Sequence, residues 1–277
     1  MPRRLRPHLE NRTVVLTGGA GGLGRQLALQ LARVEKANLV LVDRNEEGLR
    51  ALAGEIGNIC SSQVTTIAGD LLCEKAPRQI FAELAETEVY GLINNAGVTF
   101  YGETAAEELQ KFISIIEIDF RVVVELSLLF LSRFQRAGEG FILNVTSLAA
   151  FLPIPYQAVY AAAKAAAQNF TECLRAENRC PRLLIATFAP SGLATDMVTE
   201  AGLTRHMEKH RYSYLSPRLA ARAALAGLKR GRRVIVPGLF NRVLYALLQV
   251  IPRRILLALA KSIYRCDRYQ ASDPAAR

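Results

Sequence analysis

The sequence predicts an α/β fold: a doubly wound parallel sheet forming one domain, with helices on both faces and a helical extension at the C-terminal end. Three observations carry that expectation. Short apolar, β-branched runs alternate with longer stretches of helical period. Several of these runs are apolar on both faces, as strands covered on each side must be. A glycine-rich turn joins the first run to the first helical stretch.

The strand-like runs are TVVLT (13–17), NLVLVD (38–43), QVTTIA (63–68), VYGLIN (89–94), GFILNVT (140–146), RLLIATF (182–188) and RRVIV (232–236). Helical stretches begin near Gly22, Asn45, Glu74, Ala105, Ile113, Ala158 and Ser216. Repeated βα units of this length call for right-handed crossovers. The 277 residues are 51% hydrophobic and 22% charged, enough for one large α/β domain or at most two small ones. No fixed-period repeat and no linker rich in Gly, Ser or Pro divides them, so residues 11–237 read as one domain and 238–277 as its extension.

The start, MPRRLRPHLENR, is basic but lacks the apolar stretch of a signal peptide. No uncharged run approaches the roughly 20 residues of a membrane-spanning helix. Cys60, Cys73, Cys173, Cys180 and Cys266 are odd in number and lack metal-ligand spacing. They read as reduced thiols in a cytoplasmic protein without a metal centre. The net charge of +10 is concentrated between Thr204 and Arg268, where fifteen Lys or Arg face only Glu208 and Asp267. Such a block can attract anionic membranes, nucleic acid or an acidic substrate, or it can be a solvated face. Nucleic acid has little aromatic or motif support there.

The turn lies within VVLTGGAGGLGRQLALQLA. Gly19, Gly21 and Gly24 fit the general dinucleotide fingerprint, while Thr17, Gly18, Gly22 and Gly24 fit T-G-x-x-x-G-x-G. In either register, missing side chains let backbone N–H groups approach a pyrophosphate at the helix N-terminus. Asp43 closes the second strand nineteen positions after Gly24, where an acidic group binds the adenosine ribose hydroxyls. It favours NAD over NADP, although Arg44 beside it offers a partner for a 2′-phosphate. Asp43 could also serve as the N-cap of the next helix. Tyr160 and Lys164, in YAAAK, share one side of a helix. Alone they read equally as a helix start with a solvated lysine or as an acid with its cation.

Taken together, the motifs resemble the short-chain dehydrogenase/reductase family, over roughly Asn11 to Pro237. They stand in family order: TGGAGGLG at 17–24, Asp70 after the third strand, NNAG at 94–97, Ser147 thirteen positions before Tyr160, YAAAK at 160–164, and PSGLAT at 190–195. The resemblance implies a Rossmann fold and an NAD(P)-dependent oxidoreductase acting on a secondary alcohol or ketone. It assigns Tyr160 as proton donor or acceptor, Lys164 as the cation favouring its phenolate and a ligand of the nicotinamide ribose, and Ser147 as the holder of the substrate oxygen. A free tyrosine, with a pKa of about 10, is too weakly acidic to act as a base near neutrality. It also assigns Thr17, Gly18, Gly22, Leu23 and Gly24 to the phosphates, Asp70 with Leu71 to the adenine, and Asn94, Asn95, Ala96 and Gly97 to support of the cofactor-binding sheet, although Asn94 and Asn95 alone could simply shape a strand-end turn. Pro190 and Thr195 would lie beside the carboxamide.

Two positions depart from the pattern. The asparagine expected in the helix before the fifth strand, which holds a local helix distortion, is Asp119 in IIEIDFRVVV. An ionised carboxylate only accepts hydrogen bonds. The usual Pro-Gly is Pro190-Ser191, with Gly192 following.

Phe151, Leu152, Pro153, Ile154 and Pro155 make the loop before Tyr160 oily, with Tyr156 beside it, which points to a lipophilic ketone or alcohol. Residues 239–265 are divided by Pro252 into two leucine-rich pieces, with Arg242, Arg253, Arg254, Lys261 and Arg265 interspersed. They read as packing on the cleft or a second subunit, or as peripheral membrane contact. The VIVPG…N entry to them resembles a subgroup acting on lipophilic ketones, including acyl chains and steroids. Family members commonly form homodimers or homotetramers through helices near 114–136 and 158–178. The alternative function is a dinucleotide-sensing binding protein that keeps the fold without chemistry.

Overall fold

The computed structural model describes residues 6–195 and 212–264. Residues 204–211 of the basic block, and Arg265 and Cys266 in the C-terminal stretch, lie outside them. The strands are β1 (Thr13–Thr17), β2 (Asn38–Asp43), β3 (Val64–Ala68), β4 (Val89–Asn94), β5 (Gly140–Val145), β6 (Leu183–Phe188) and β7 (Val234–Ile235). All pair in parallel, in the order β3-β2-β1-β4-β5-β6-β7. The expected doubly wound sheet is present, each expected strand matching to within about two residues at either end.

The helices are α1 (Gly22–Arg33), α2 (Glu46–Ile59), α3 (Ala76–Glu83), α4 (Leu109–Ile116), α5 (Val122–Ala137), α6 (Ala158–Glu177), α7 (Pro217–Lys229), α8 (Leu239–Leu248) and α9 (Arg253–Ile263). Local chemistry fixes several of their starts. Asn45 caps α2, its side chain accepting the Gly48 N–H at 2.9 Å. Ser216 caps α7 just before Pro217, which needs no N–H partner there. The stretch expected to begin near Ala105 is a single 3₁₀ turn, Thr104–Ala106, and the next helix begins at Leu109 rather than near Ile113. Between α4 and α5, residues Glu117–Arg121 widen into a π-helical turn. This is the helix distortion that the resemblance implies.

Each face of the sheet has its own core. On one, Val14, Leu16, Leu39, Leu41 and Phe141 pack against α1, α2 and α7. On the other, Val15, Val40, Leu92, Ile142 and Ile185 meet Leu126, Phe130 and Phe134 of α5. Inward side chains of either parity are therefore apolar, the physical origin of the unbroken apolar runs. Phe130 is fully buried and stacks edge-on with Phe81, ring centres 5.2 Å apart. Its truncation to alanine is expected to cost about 3–5 kcal/mol of unfolding free energy in a urea titration. Val34→Ala, at an exposed position, should change it by less than about 0.5 kcal/mol.

Candidate active site

β1 and β4 are hydrogen-bonded neighbours, but their chains leave toward opposite faces, β1 into α1 and β4 toward α4 and α5. A crevice beyond the carboxyl ends of such strands is where open α/β sheets bind ligands. Two side chains knit its floor. The Thr17 hydroxyl accepts the N–H groups of Asn95 and Ala96 at 3.0 and 3.1 Å. The Asn95 amide donates back to the carbonyls of Thr17 and Gly18 at 3.0 and 3.1 Å.

The turn after β1 is closed so tightly that a Cβ on Gly24 would lie 1.9 Å from the Gly18 carbonyl oxygen, and Gly18 itself has φ +67°. No side chain caps α1, and its first turn holds no acidic residue. The N–H groups of Gly22, Leu23 and Gly24 thus form an unneutralised positive helix end, which fits a pyrophosphate. Thr195 stands over this turn, its Cγ2 2.8 Å from where a Gly22 Cβ would be.

The Asp43 carboxylate binds the turn to the end of β2. Its oxygens accept the N–H groups of Ala20 at 3.1 Å and Asn45 at 3.0 Å, and a carboxylate has lone pairs left for a ribose hydroxyl. The helix cap is Asn45, not Asp43. Arg44 and Asp70 are exposed, Leu71 is buried in the core, and the Asp70 carboxylate accepts the Leu72 N–H at 2.9 Å. Asn94 turns away from the crevice. Its amide donates to Asn144 at 2.8 Å and to Ser127 at 3.1 Å in a buried network that ties β4 to β5 and α5.

At the neighbouring strand ends lie Ser147, just past β5, and Pro190, just past β6. The Leu148 N–H reaches the Pro190 carbonyl at 2.8 Å. The Ser147 hydroxyl accepts the Ala149 N–H at 3.1 Å and lies close enough to the Tyr160 phenol to lower its pKa. Tyr160 and Lys164 share a face of α6, the ammonium 5.8 Å from the phenol ring centre. Lys164 is only 4% exposed. Its Nζ donates to the Val145 carbonyl at 3.2 Å and lies 3.4 Å from Asp119 Oδ1. That same oxygen accepts the Val98 N–H at 3.1 Å. Gly97 is adjacent, its missing Cβ leaving room 2.8 Å from Asp119 Oδ1.

Burial raises the pKa of the Tyr160 phenol well above the ordinary tyrosine value, the Asp119 charge adds to the rise, and the nearby Ser147 hydroxyl opposes it. Burial also raises Asp119, against the attraction of Lys164. The second Asp119 oxygen, Oδ2, is buried without a hydrogen-bond partner among the described residues. This cluster can hold a neutral phenol beside a cation and present two hydroxyls to one substrate oxygen.

The sequence model of the short chain dehydrogenases matches residues 12–206. The chain belongs to the short-chain dehydrogenase family. It is an oxidoreductase acting on CH–OH groups with a nicotinamide dinucleotide. An 11-beta-hydroxysteroid dehydrogenase of Pinus massoniana is 31% identical over 245 residues, 82% of this chain and 67% of that protein. Two solved structures share the fold. A short-chain dehydrogenase from Sphingobium yanoikuyae in complex with NADPH has a TM-score of 0.76 at 24% identity, covering 87% of this chain and 96% of that one. One from Burkholderia phymatum in complex with NAD has a TM-score of 0.79 at 19% identity, covering 91% and 96%.

In this dehydrogenase the displaced glycine after Pro190 has a packing reason. A Cβ on Gly192 would enter the Tyr214 ring, 2.1 Å from its edge. The loop then pairs with residues near Leu215, whose N–H reaches the Gly192 carbonyl at 3.1 Å. Tyr264, more than a hundred positions on, packs with Tyr160 against the same cluster of Ala149, Ile154 and Ala161, and its carbonyl accepts the Tyr101 hydroxyl at 3.3 Å. Burial pushes the Tyr264 phenol up to about 12. Tyr101, Tyr214 and Tyr264 are the surrounding residues that sequence reading missed, and nothing local marks them; Asn95 lay inside the recognised NNAG motif.

An Asp119→Asn exchange removes a negative charge that disfavours the Tyr160 phenolate. The phenolate should therefore form at lower pH, and the midpoint of the pH–rate profile for alcohol oxidation is expected to move down. An unchanged or raised midpoint would show that Asp119 does not act on Tyr160.

Proposed function

We propose that this dehydrogenase interconverts a secondary alcohol and a ketone on a fairly apolar substrate, with Tyr160 passing the proton and NAD preferred to NADP. The observation that carries the reading is the convergence of the Tyr160 phenol, the Ser147 hydroxyl and the buried Lys164 ammonium beside the β1–β4 crevice. The bound nicotinamide supplies or accepts the hydride. The N–H groups of Gly22, Leu23 and Gly24 would hold its pyrophosphate and Asp43 the adenosine ribose. Asp70 and Leu71 would border the adenine, Pro190 and Thr195 the carboxamide, and Lys164 would bond the nicotinamide ribose.

In reduction, Tyr160 would give its proton to the substrate oxygen while the Ser147 hydroxyl holds that oxygen and takes up part of its growing charge. A phenol kept neutral by burial is suited to that step. In oxidation the phenolate must form, and the Lys164 cation offsets its cost. The half-buried loop of Phe151, Leu152 and Pro153 and the ring of Tyr214 support an apolar substrate. So does the Pinus massoniana relative, named for a hydroxysteroid. The Asp43 carboxylate at the end of β2 supports NAD, because it would repel a 2′-phosphate.

The test is hydride exchange by the purified protein with both cofactors across a ketone and alcohol panel. Cofactor binding without any exchange would sink the enzyme reading in favour of a sensor. Tyr160→Phe is expected to bind NADH as the parent does in a fluorescence titration and to lose about a hundred- to ten-thousand-fold in turnover. NADH should bind more tightly than NADPH, and Asp43→Ser should narrow the gap. A parent that prefers NADPH would reverse the cofactor assignment.

A further inference from the structure

Half of the exposed large apolar side chains among the described residues fall within the 25 positions from Leu239 to Ile263. α8 is fastened by one side. Asn241 and Leu248 are buried, the Asn241 amide donates to the Ser213 carbonyl at 3.2 Å, and Tyr245 stacks edge-on with Phe151 at 4.8 Å. The opposite side is an arc of roughly 100° that holds Leu239, Phe240, Val243, Leu247 and Val250. Leu239 is 76% exposed and Val250 75%. Helices that face water carry polar residues on that side; here the outward face is apolar.

α9 repeats the arrangement. Leu256 and Ala260 point inward, while Ile255, Leu259 and Ile263, spaced four apart, point outward. Arg253, Arg254 and Lys261 are exposed on the same helix, and Arg242 on α8. Residues 239–264 contain no Asp or Glu. An apolar face with a purely cationic border complements a surface that is oily below and anionic above. A second copy seated on this face would bring a segment of the same sign, with no carboxylate of its own to neutralise these cations. α9 also leads directly into Tyr264, which packs on the same Ala149, Ile154 and Ala161 cluster as Tyr160.

We propose that α8 and α9 form a docking surface for anionic phospholipid membranes, with Val243, Leu247, Val250 and Ile255 entering the acyl boundary and Arg253, Arg254 and Lys261 at the headgroups. No helix among the described residues is long and apolar enough to cross a membrane, so this contact is peripheral. If the function proposed above holds, the helix that carries the face ends at the apolar cluster on which the reacting Tyr160 packs, and an apolar ketone dissolved in the bilayer reaches the site beside the membrane. Docking itself does not depend on that reading.

Flotation of the full chain with vesicles tests it. The protein is expected to float with vesicles of phosphatidylcholine and phosphatidylglycerol, not with phosphatidylcholine alone, and to be released by high salt. An Arg253→Glu/Arg254→Glu variant should bind about fivefold more weakly for each cation lost, or worse. A Val243→Glu/Leu247→Glu variant should not float. Both should keep the parent's NADH affinity and thermal midpoint, since these side chains face outward. The proposal is overturned if the parent stays in solution, or if the Val243→Glu/Leu247→Glu variant floats as well as the parent. It is equally overturned if the parent is a dimer that this exchange splits, which makes the face an interface between copies. Hydride transfer to a water-soluble ketone, measured without vesicles, fails only if the enzyme reading fails.

Discussion

Two parallel strands that pair along their length yet send their chains to opposite faces cannot close over their own carboxyl ends. β1 and β4 impose that constraint, and the rest of the site is arranged around the opening they leave. The Thr17 hydroxyl accepts two backbone N–H groups and the Asn95 amide donates to two backbone carbonyls across it, holding the glycine turn against the end of β4. Asp43 anchors the same turn from the other flank. Because every strand runs the same way, Ser147 after β5 and Pro190 after β6 come out on the same edge of the sheet.

The helical layer brings the second half of the site to that edge. Lys164 reaches from α6 to the last carbonyl of β5 and to Asp119 in the π turn between α4 and α5. A buried ammonium needs such partners, since without them desolvation drives it toward the neutral amine. One side chain therefore joins three elements that are distant in sequence. Tyr156, with φ +66° in the loop before α6, is held where a bulky residue is strained. Its carbonyl accepts the Gly102 N–H at 3.0 Å, and its ring meets Tyr101.

Strand identity and order of elements were legible because burial on both faces forces apolar residues at both parities, leaving NLVLVD or GFILNV little else to be. The phosphate turn was legible because its context, strand then glycines then helix, is local. The roles of neighbouring asparagines were not. Asn94 and Asn95 differ only in which way a strand end points them, and that direction depends on the pairing of β1 with β4. The extended reach of Tyr264 was hidden for the same reason: some hundred residues separate it from Tyr160, with which it shares a cluster. The departure at Pro190-Ser191-Gly192 was visible, but its cause, the ring of Tyr214, sits in another segment.

Asp119 in place of an amide alters what this edge of the molecule is as a chemical object. An asparagine there would leave the phenol as the one acid of the cluster. A carboxyl with one oxygen committed and the other enclosed adds a second acid whose charge the phenol feels at close range. Protons then leave the ensemble in steps belonging to no single side chain. An acidity constant drawn from kinetics on this chain is accordingly a collective property, and assigning it to the tyrosine alone would misname it.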